Sequence, residues 1–248
     1  MIDLHSHLLP GIDDGPSTLD QSLELAALAY QNGITHSILT PHIHPGRYTN
    51  NAKTISKACS DFAQALSSRG IPLKVGFAGE VRLSDEILMM VENEDIPFYG
   101  KLNQHNVLLL ELPHNHVPAG SEKLIQWLLN KNIRPMIAHP ERNKEIMSNL
   151  DKIKPFVQME CLIQVTAGSI VGLFGQTAQQ CSRSLLEMGL VTVIASDAHN
   201  VKYRPPQLDH GRDAAAKILG EDEANRMVFD RPANIASSQF PDLLNPRK

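Results

Sequence analysis

Histidines and carboxylates recur in this sequence directly after short apolar runs. His5 and His7 stand two apart at the end of the first run, and Asp197 and His199 have the same spacing after the last. Side chains two apart on a strand point to the same side, so each pair can reach one ion. Imidazole and carboxylate ligands together suit zinc, manganese or iron. The pattern therefore predicts a metal centre.

The full set of candidate ligands has nine members, eight at predicted strand ends and one in the loop 11–15 (GIDDG). They are His5, His7, Asp14, His42, Glu80, Glu111, His139, Asp197 and His199. One tetrahedral ion needs about four ligands. Nine candidates therefore predict two or three ions, with one carboxylate bridging. Each residue taken singly has an ordinary structural explanation, but their coincidence at one edge favours metal.

Three arginines follow these candidates closely and predict an anionic substrate. Arg47 comes after His42, Arg142 after His139, and Arg204 after the last pair of candidates. A guanidinium group binds phosphate through two parallel hydrogen bonds. Metal ions and arginines that face one pocket are typical of phosphoester hydrolysis.

The cysteines do not support the other common phosphatase chemistry. A cysteine-dependent tyrosine phosphatase needs an arginine six residues after its cysteine, and neither Cys59, Cys161 nor Cys181 has one there. The Gly-x-Ser-x-Gly elbow of serine hydrolases is also absent from the sequence. Three dispersed cysteines are too few for a disulfide framework and fit a reducing compartment.

Alternating apolar runs and helical patterns must position these side chains. The predicted strands cover Ile2–His7, His36–Pro41, Leu73–Val81, Val107–Leu112, Pro135–His139, Leu162–Thr166 and Val191–Ser196. The predicted helices cover Leu19–Gln31, Ala52–Ser68, Ser121–Lys131, Gln176–Met188 and Asp209–Leu219. This order predicts a mostly parallel sheet, either closed into a barrel or open and doubly wound. Both architectures form their sites at the carboxyl edge of the strands.

Composition limits the remaining classes. The 248 residues are 42% hydrophobic and 20% charged, which fits one α/β domain over residues 1–248 with a tail from about 231 to 248 packed on it. The net charge of −4 argues against a nucleic-acid partner. The longest apolar runs are too short for membrane insertion, and the first residues lack the pattern of a signal peptide. We therefore expect a cytoplasmic protein.

Several motifs together resemble a known family. Residues 1–7 (MIDLHSH), 9–16 (LPGIDDGP), 138–143 (AHPERN) and 196–200 (SDAHN) carry the resemblance, with TPH at 40–42, GRY at 46–48, ELP at 111–113 and RPP at 204–206 between and after them. In this order they resemble the PHP (polymerase and histidinol phosphatase) superfamily. More narrowly, they resemble the bacterial manganese-dependent protein tyrosine phosphatases of capsule and exopolysaccharide gene clusters.

The resemblance implies a fold and a ligand scheme. The fold would be a distorted, TIM-like (β/α)7 barrel, and the centre would hold three ions. His5, His7, Glu80 and Asp197 would hold one ion; Glu80 would bridge to a second, with Glu111 and His139; Asp14, His42 and His199 would hold the third. The implied cofactor is Mn²⁺, in two or three copies, although iron, zinc or cobalt would accept the same ligands.

The resemblance also implies an activity. It is that of a protein-tyrosine phosphatase (EC 3.1.3.48), with Asp197, Arg142 and Arg204 as catalytic residues and Arg47 as a further substrate-binding residue. A hydroxide bridging two ions would attack phosphorus. The implied substrate is a tyrosine autokinase of polysaccharide export.

Three alternatives stay open at this point. A histidinol-phosphate phosphatase or another PHP phosphoesterase would use the same ligands. A PHP-type nuclease would need a basic surface, which the composition does not favour. A non-catalytic protein would use metal only as a structural staple, normally with one closed site of four ligands.

Overall fold

The computed structural model describes residues 1–244. Its strands are β1 (Ile2–Ser6), β2 (His36–Leu39), β3 (His42–His44), β4 (Tyr48–Thr49), β5 (Lys74–Phe77), β6 (Glu80–Arg82), β7 (Lys101–Leu102), β8 (His105–Glu111), β9 (Ile133–Ala138), β10 (Leu162–Thr166) and β11 (Val193–Ala195). Its helices are α1 (Leu19–Gln31), α2 (Ala52–Ser68), α3 (Ile87–Glu92), α4 (Ser121–Asn130), α5 (Lys144–Ser148), α6 (Lys154–Gln158), α7 (Ala167–Ile170), α8 (Gln176–Glu187), α9 (Leu208–Leu219), α10 (Glu221–Val228) and α11 (Asp230–Ala236). Short 3₁₀ helices cover Pro140–Arg142, Leu150–Ile153 and Pro241–Leu244.

The strands form two mostly parallel sheets. One has the order β1-β2-β5, and the other runs β11-β10-β9-β8-β6-β3-β4, with β7 added beside β8. Only β4 and β7 pair in the antiparallel sense. Within residues 1–244 neither sheet closes on itself. The chain therefore has the mixed α/β fold of a single domain, as expected, and the closed barrel stays a prediction.

The division into two sheets has a local cause at two positions. Pro41 separates β2 from β3 because proline has no N–H group for the ladder. Gly79 separates β5 from β6, and its N–H donates to the carbonyl of Pro97 (3.1 Å) instead of to a neighbouring strand. A Cβ atom at Gly79 would lie 2.5 Å from Cδ1 of Ile43, so only glycine allows this approach. The predicted strand Leu73–Val81 is therefore interrupted.

The helices end where local signals predict. Thr18 accepts a hydrogen bond from the backbone of Gln21 at the start of α1, and Asn51 and Thr54 form a capping box at the start of α2. Both helices have the predicted bounds. Each is followed by a glycine with positive φ, Gly33 or Gly70.

The buried side chains form two hydrophobic clusters. The larger lies between the strands and the helices. The smaller consists mainly of strand residues, among them Leu4, Ile38 and Leu109, and ends at Ile235 and Phe240 after the last helices. These two clusters hold the strands so that their carboxyl ends lie together.

The C-terminal stretch contains α11 and the last 3₁₀ helix. Helix α11 contacts β1 and β7, and the side-chain amide of Gln239 donates to the carbonyls of Phe77 and Tyr99 (2.8 Å each). Residues 245–248 of the predicted tail lie outside the described residues. Among residues 1–244, none of the helices has the length and apolarity that a bilayer crossing requires.

Candidate metal centre

Seven of the nine candidate ligands lie at the carboxyl ends of strands or in the loops that follow, and two stand at the first residues of β3 and β6, shortly after β2 and β5. His5 is in β1, His42 begins β3, Glu80 begins β6 and Glu111 ends β8. The other candidates stand in loops after β1, β9 and β11; they are His7, Asp14, His139, Asp197 and His199. The predicted strands include His7 and His139, whereas in the structure these two residues directly follow β1 and β9.

Their ligand atoms converge in four overlapping groups. In each group, one nitrogen or oxygen atom per residue lies within 4.8 Å of the others. The groups are His7, Asp14, His42 and His199; His5, His7 and Glu80; His5, His139 and Asp197; and His42, Glu80 and Glu111. Asp14, His42 and His199 meet, as in the third predicted set. Glu111 meets Glu80 and His42, whereas the second predicted set combined it with Glu80 and His139.

Two residues that the sequence analysis did not select orient the central histidines. Nδ1 of His7 donates to Oδ2 of Asp13 (2.6 Å), and Nδ1 of His5 donates to Oε1 of Gln164 (2.8 Å). In the neutral imidazoles each Nδ1 atom therefore carries the proton, and each Nε2 atom presents a lone pair. Asp13 is the neighbour of the predicted ligand Asp14, and Gln164 lies in β10, which holds none of the nine predicted ligands.

The atoms that face each other in this cluster favour positive charge between them. The two Nε2 atoms of His5 and His7 are 3.1 Å apart, and each lies 3.3–3.4 Å from Oε2 of Glu80 and from Oδ1 of Asp197. All four side chains are buried. Lone pairs and carboxylates brought together without solvent are unfavourable unless a positive charge lies between them. The donor set therefore fits divalent metal.

Four unsatisfied buried atoms lie at the same place. Oε2 of Glu80, Oδ1 of Asp197, Nδ1 of His42 and Nε2 of His199 have no hydrogen-bond partner among residues 1–244. Buried polar atoms normally have a partner, and such exceptions need an explanation. Nδ1 of His199 donates to the backbone oxygen of Asp197 (3.0 Å), so its Nε2 atom is also a free lone pair.

Glu80 is the most connected residue of the cluster. Its carboxylate lies 2.8 Å from Nε2 of His139, 2.9 Å from Nδ1 of His42 and 3.3 Å from the Nε2 atoms of His5 and His7. Burial opposes ionisation of Glu80, but the positive charge of protonated His5 and His42 outweighs it and holds the pKa of the carboxyl well below its usual range. Glu80 is thus an anion at the centre of four imidazoles.

Asp197 joins two arginines to the cluster. Its Oδ2 atom accepts hydrogen bonds from Arg142 and Arg204, while its Oδ1 atom faces His5 and His7. Burial opposes ionisation of Asp197, but Arg204, with His5 and Arg142, lowers the pKa of its carboxyl well below the ordinary value. The guanidinium groups keep part of their surface, since the side chains of Arg142 and Arg204 are 19% and 23% exposed.

The third predicted arginine lies elsewhere on the rim. Arg47 is exposed between β3 and β4, and its guanidinium carbon lies 4.9 Å from the ring centroid of Tyr48. The Tyr48 ring in turn stacks on the imidazole of His42 at 5.5 Å. Arg47 therefore approaches the cluster through this stack and makes no contact with Asp197 in the described structure.

Glu111 also has a partner that the sequence analysis did not select. Its Oε2 atom lies 3.0 Å from Nη1 of Arg82, and the two residues are direct neighbours in the β6–β8 ladder. Arg82 stands two residues after Glu80 and therefore shares its face of β6. This pairing reduces the negative charge at the side of the cluster that β8 forms.

Two of the candidate ligands have an unusual backbone. His139 has a φ of +33° and Asp197 a φ of +52°, in the left-handed region that non-glycine residues rarely adopt. Each residue follows the end of a strand, β9 or β11. Such conformations occur preferentially at functional sites, where surrounding structure holds them in place.

The cysteine thiols stay protonated near neutral pH. Cys59, Cys161 and Cys181 are buried and free. Burial raises the pKa of each thiol to about 12. The three residues therefore lack the thiolate character of a catalytic cysteine.

Comparison with known proteins relates this chain to one family and to named members of it. The family model for capsular polysaccharide synthesis proteins, CpsB/CapC, matches residues 1–237. The tyrosine-protein phosphatase YwqE of Bacillus subtilis is 37% identical over 204 residues, 82% of this chain and 79% of YwqE. The tyrosine-protein phosphatase CpsB of Streptococcus agalactiae is 27% identical over 245 residues, 97% of this chain and 100% of CpsB.

A solved structure gives the same relationship. It comes from the crystal structures of YwqE from Bacillus subtilis and CpsB from Streptococcus pneumoniae, described as unique metal-dependent tyrosine phosphatases. It superposes with a TM-score of 0.88 at 33% identity and covers 95% of this chain and 94% of the other. The resemblance found in the sequence is confirmed, and the chain belongs to the CpsB/CapC family of capsular polysaccharide synthesis.

Proposed function

We propose that this protein is a metal-dependent phosphomonoesterase that removes phosphate from phosphotyrosine in proteins. One observation carries the proposal: Arg142 and Arg204 meet at the carboxylate of Asp197, whose other oxygen faces the histidine cluster. Phosphate-binding and metal-binding groups thus share one residue. The kinship with YwqE and CpsB, both named tyrosine-protein phosphatases, supports the same activity.

The proposed metal ligands are the nine residues of the cluster, which are His5, His7, Asp14, His42, Glu80, Glu111, His139, Asp197 and His199. We infer two or three ions, with Mn²⁺ as the cofactor and iron, zinc or cobalt as substitutes, because the ligands are imidazoles and carboxylates. Divalent ions at such a site supply Lewis acidity and make hydroxide available near neutral pH. Glu80 is the proposed bridging ligand because its carboxylate contacts four imidazoles.

The arginines have the proposed role of holding the phosphate. Each guanidinium group can donate two parallel hydrogen bonds to phosphate oxygens and neutralise the charge that grows on them in the transition state. Asp197 fixes the position of both groups before the substrate arrives. The phenolate that leaves has a pKa of about 10, so it needs little protonation, and we assign no general acid.

The proposed architecture is the distorted (β/α)7 barrel, formed by both sheets together over one domain, residues 1–248. A parallel bridge between Ser6 and Ala198 supports closure between β1 and the segment after β11. The N–H of Glu80 donates to the carbonyl of Pro41 (3.1 Å) and continues the ladder past the interruption at Pro41 and Gly79. The smaller hydrophobic cluster, which draws side chains from strands of both sheets, supports a common interior.

The proposed substrate is the tyrosine autokinase of a polysaccharide-export system, in the cytoplasm. Support for the pathway comes from the family description, capsular polysaccharide synthesis. Support for a reducing compartment comes from the three free, buried cysteines.

The test is release of phosphate from a phosphotyrosine peptide, measured with added Mn²⁺ and again after a chelator, beside histidinol phosphate. We expect turnover of the peptide that the chelator abolishes and that Mn²⁺ restores. Preference for histidinol phosphate would assign the same centre to the alternative activity. Turnover that persists after the metal content falls to zero would contradict the proposal.

A further inference from the structure

The loop 171–175 between α7 and α8 has a defined shape beside Arg142 and Arg204. Its backbone is closed by hydrogen bonds from the N–H of Leu173 to the carbonyl of Gly168 (2.8 Å) and from that of Gly175 to Gly172 (3.0 Å). Gly172 and Gly175 have φ values of +86° and +90°, which glycine adopts without strain. These two glycines flank Leu173 and Phe174 and set the direction of both side chains.

Phe174 lies against both phosphate-binding groups. The guanidinium carbon of Arg142 is 4.5 Å from the centroid of the Phe174 ring, and that of Arg204 is 5.9 Å away. Both distances are within the range of a cation–π interaction. The ring is only half-buried, and the neighbouring Leu173 is 52% exposed. An apolar surface thus borders the place where phosphate is proposed to bind.

A buried carboxylate ties this loop to Arg142. Oε1 of Glu141 accepts hydrogen bonds from the backbone of Thr166 (3.0 Å) and from the hydroxyl of Ser169 (2.7 Å). Glu141 precedes Arg142 in its 3₁₀ helix, and Ser169 belongs to α7, which leads into the loop. The position of the Phe174 ring relative to the guanidinium group is therefore set by the fold.

We propose that Phe174 is a specificity-determining residue that favours aryl over alkyl phosphates. The inference rests on the proposed function and names the feature of the substrate that the site selects. In phosphotyrosine a single ester oxygen separates phosphorus from the phenyl ring. A phosphate held by Arg142 and Arg204 therefore brings that ring to the side of Phe174, where the two aromatic groups pack.

Neither β10 nor the loop contributes any of the nine proposed metal ligands. A substitution in it can change substrate preference without removing a ligand. A phosphoserine side chain has no ring at this distance from phosphorus, so it gains nothing from Phe174.

The experiment compares Phe174→Ala, Phe174→Leu and Phe174→Tyr with the parent protein. For each, kcat/KM is measured for a phosphotyrosine peptide and for the matching phosphoserine peptide, with metal content and melting temperature. Binding of a non-hydrolysable phosphotyrosine-mimic peptide and of inorganic phosphate is measured by calorimetry. Met89→Ala removes an apolar side chain that is 64% exposed in α3 and serves as the matched control.

We expect Phe174→Ala to lower the aryl-to-alkyl preference and the affinity for the mimic peptide by about tenfold. Inorganic phosphate affinity and metal content should stay the same. Phe174→Tyr should keep the preference, Phe174→Leu should lose most of it, and Met89→Ala should change nothing.

Two results would overturn the inference while the proposed function stands. One is an equal loss for both peptides and for inorganic phosphate, which would make Phe174 a support for the arginines only. The other is an unchanged preference in all three variants. If the parent protein itself did not hydrolyse the phosphotyrosine peptide, the proposed function would be contradicted.

Discussion

Nδ1 of His7 and Oδ2 of Asp13 are joined by a hydrogen bond of 2.6 Å. Oδ2 of Asp13 also accepts from the backbone of His42 (3.1 Å), and its Oδ1 atom accepts from that of Gly15 (2.9 Å). Asp13 therefore fixes the tautomer of one histidine and the position of the strand that carries another. Such contacts behind a metal ligand tune its orientation and basicity.

Asp13→Asn keeps the size of the side chain and removes its charge. We expect metal affinity to fall by about 10- to 100-fold, because an amide cannot hold the His7 ring as a carboxylate does. Metal affinity is measured by competition with a fluorescent chelator. Asn50→Ala is a comparison from the same region, since Asn50 donates to the carbonyls of Ile12 and His42 without touching an imidazole. Equal metal affinity in Asp13→Asn and the parent would contradict the assignment.

Asp197→Ala should remove metal and activity together. The carboxylate faces the Nε2 atoms of His5 and His7 and holds both arginines, so both functions depend on it. We expect bound metal per chain to fall, with a loss of kcat/KM of at least about 100-fold. Elemental analysis and phosphate release measure the two effects. Asp61→Ala in α2, where the carboxylate is exposed, is the control. Full activity with a normal metal content would refute the role of Asp197.

Arg142→Ala should separate phosphate binding from metal binding. Loss of one preorganised donor to a developing charge costs roughly 100- to 1000-fold in rate. We expect a fall of that size in kcat/KM at an unchanged metal content. Arg142→Lys should recover only part, because an ammonium group cannot make two parallel bonds.

Arg47→Ala provides a comparison within the predicted arginines. Its guanidinium group is exposed over Tyr48 and lies apart from Asp197. We expect kcat/KM for the phosphotyrosine peptide to change by no more than about twofold. A loss as large as that of Arg142→Ala would show that Arg47 takes part in the phosphate site directly.

Thiol reagents should leave the activity intact. Burial raises the pKa of all three cysteines to about 12, so at pH 8 roughly one thiol in ten thousand is ionised. Iodoacetamide should therefore not reduce phosphate release, and mass spectrometry should find the folded protein unlabelled. After unfolding in guanidinium chloride, all three cysteines should react. If activity were lost in proportion to the labelling of one cysteine, a mechanism with a cysteine thiolate as nucleophile would be supported instead.

Gly211→Ala should destabilise the fold although glycine is a poor helix former. A Cβ atom at Gly211 in α9 would lie 2.5 Å from Cβ and 2.6 Å from Cα of Ala167 in α7. Overpacking of this kind costs about 1–3 kcal/mol, which is more than the gain in helix propensity. Thermal unfolding should show a lower midpoint than in the parent. Lys217→Ala, an exposed change in the same helix, should leave the midpoint within about a degree or two.

Local signals in the sequence were sufficient for the longer elements. The short elements β4, β7, α3, α5, α6, α7, α10 and α11 were not predicted. Helices α1 and α2 have the predicted ends because a capping residue and a following glycine mark them. The interruption at Gly79 was not predictable, since it depends on the approach of Ile43 from a different strand. Strand β3 was missed for a related reason: three residues after a proline are too short for a periodic pattern.

The site was predictable as far as strand ends determine it. His5 and Glu80 could be selected as candidates because functional residues in parallel α/β folds collect at one edge. Gln164 and Arg82 could not be found, because their partners are 159 and 29 residues away in the chain and only the folded structure brings them together. Phe174 was not predictable either, because it carries no charge and follows a strand without candidate ligands.

The left-handed backbone of His139 and Asp197 has an evolutionary consequence. A glycine at His139 would relax the backbone by roughly 1 kcal/mol and delete a side chain from the centre. A glycine at Asp197 would relax the backbone too, but it would also leave the guanidinium groups of Arg142 and Arg204 without their carboxylate, which costs more than the relief. In a library of variants ranked by melting temperature, enrichment of glycine at His139 but not at Asp197 would mark where natural selection has kept chemistry at the expense of stability.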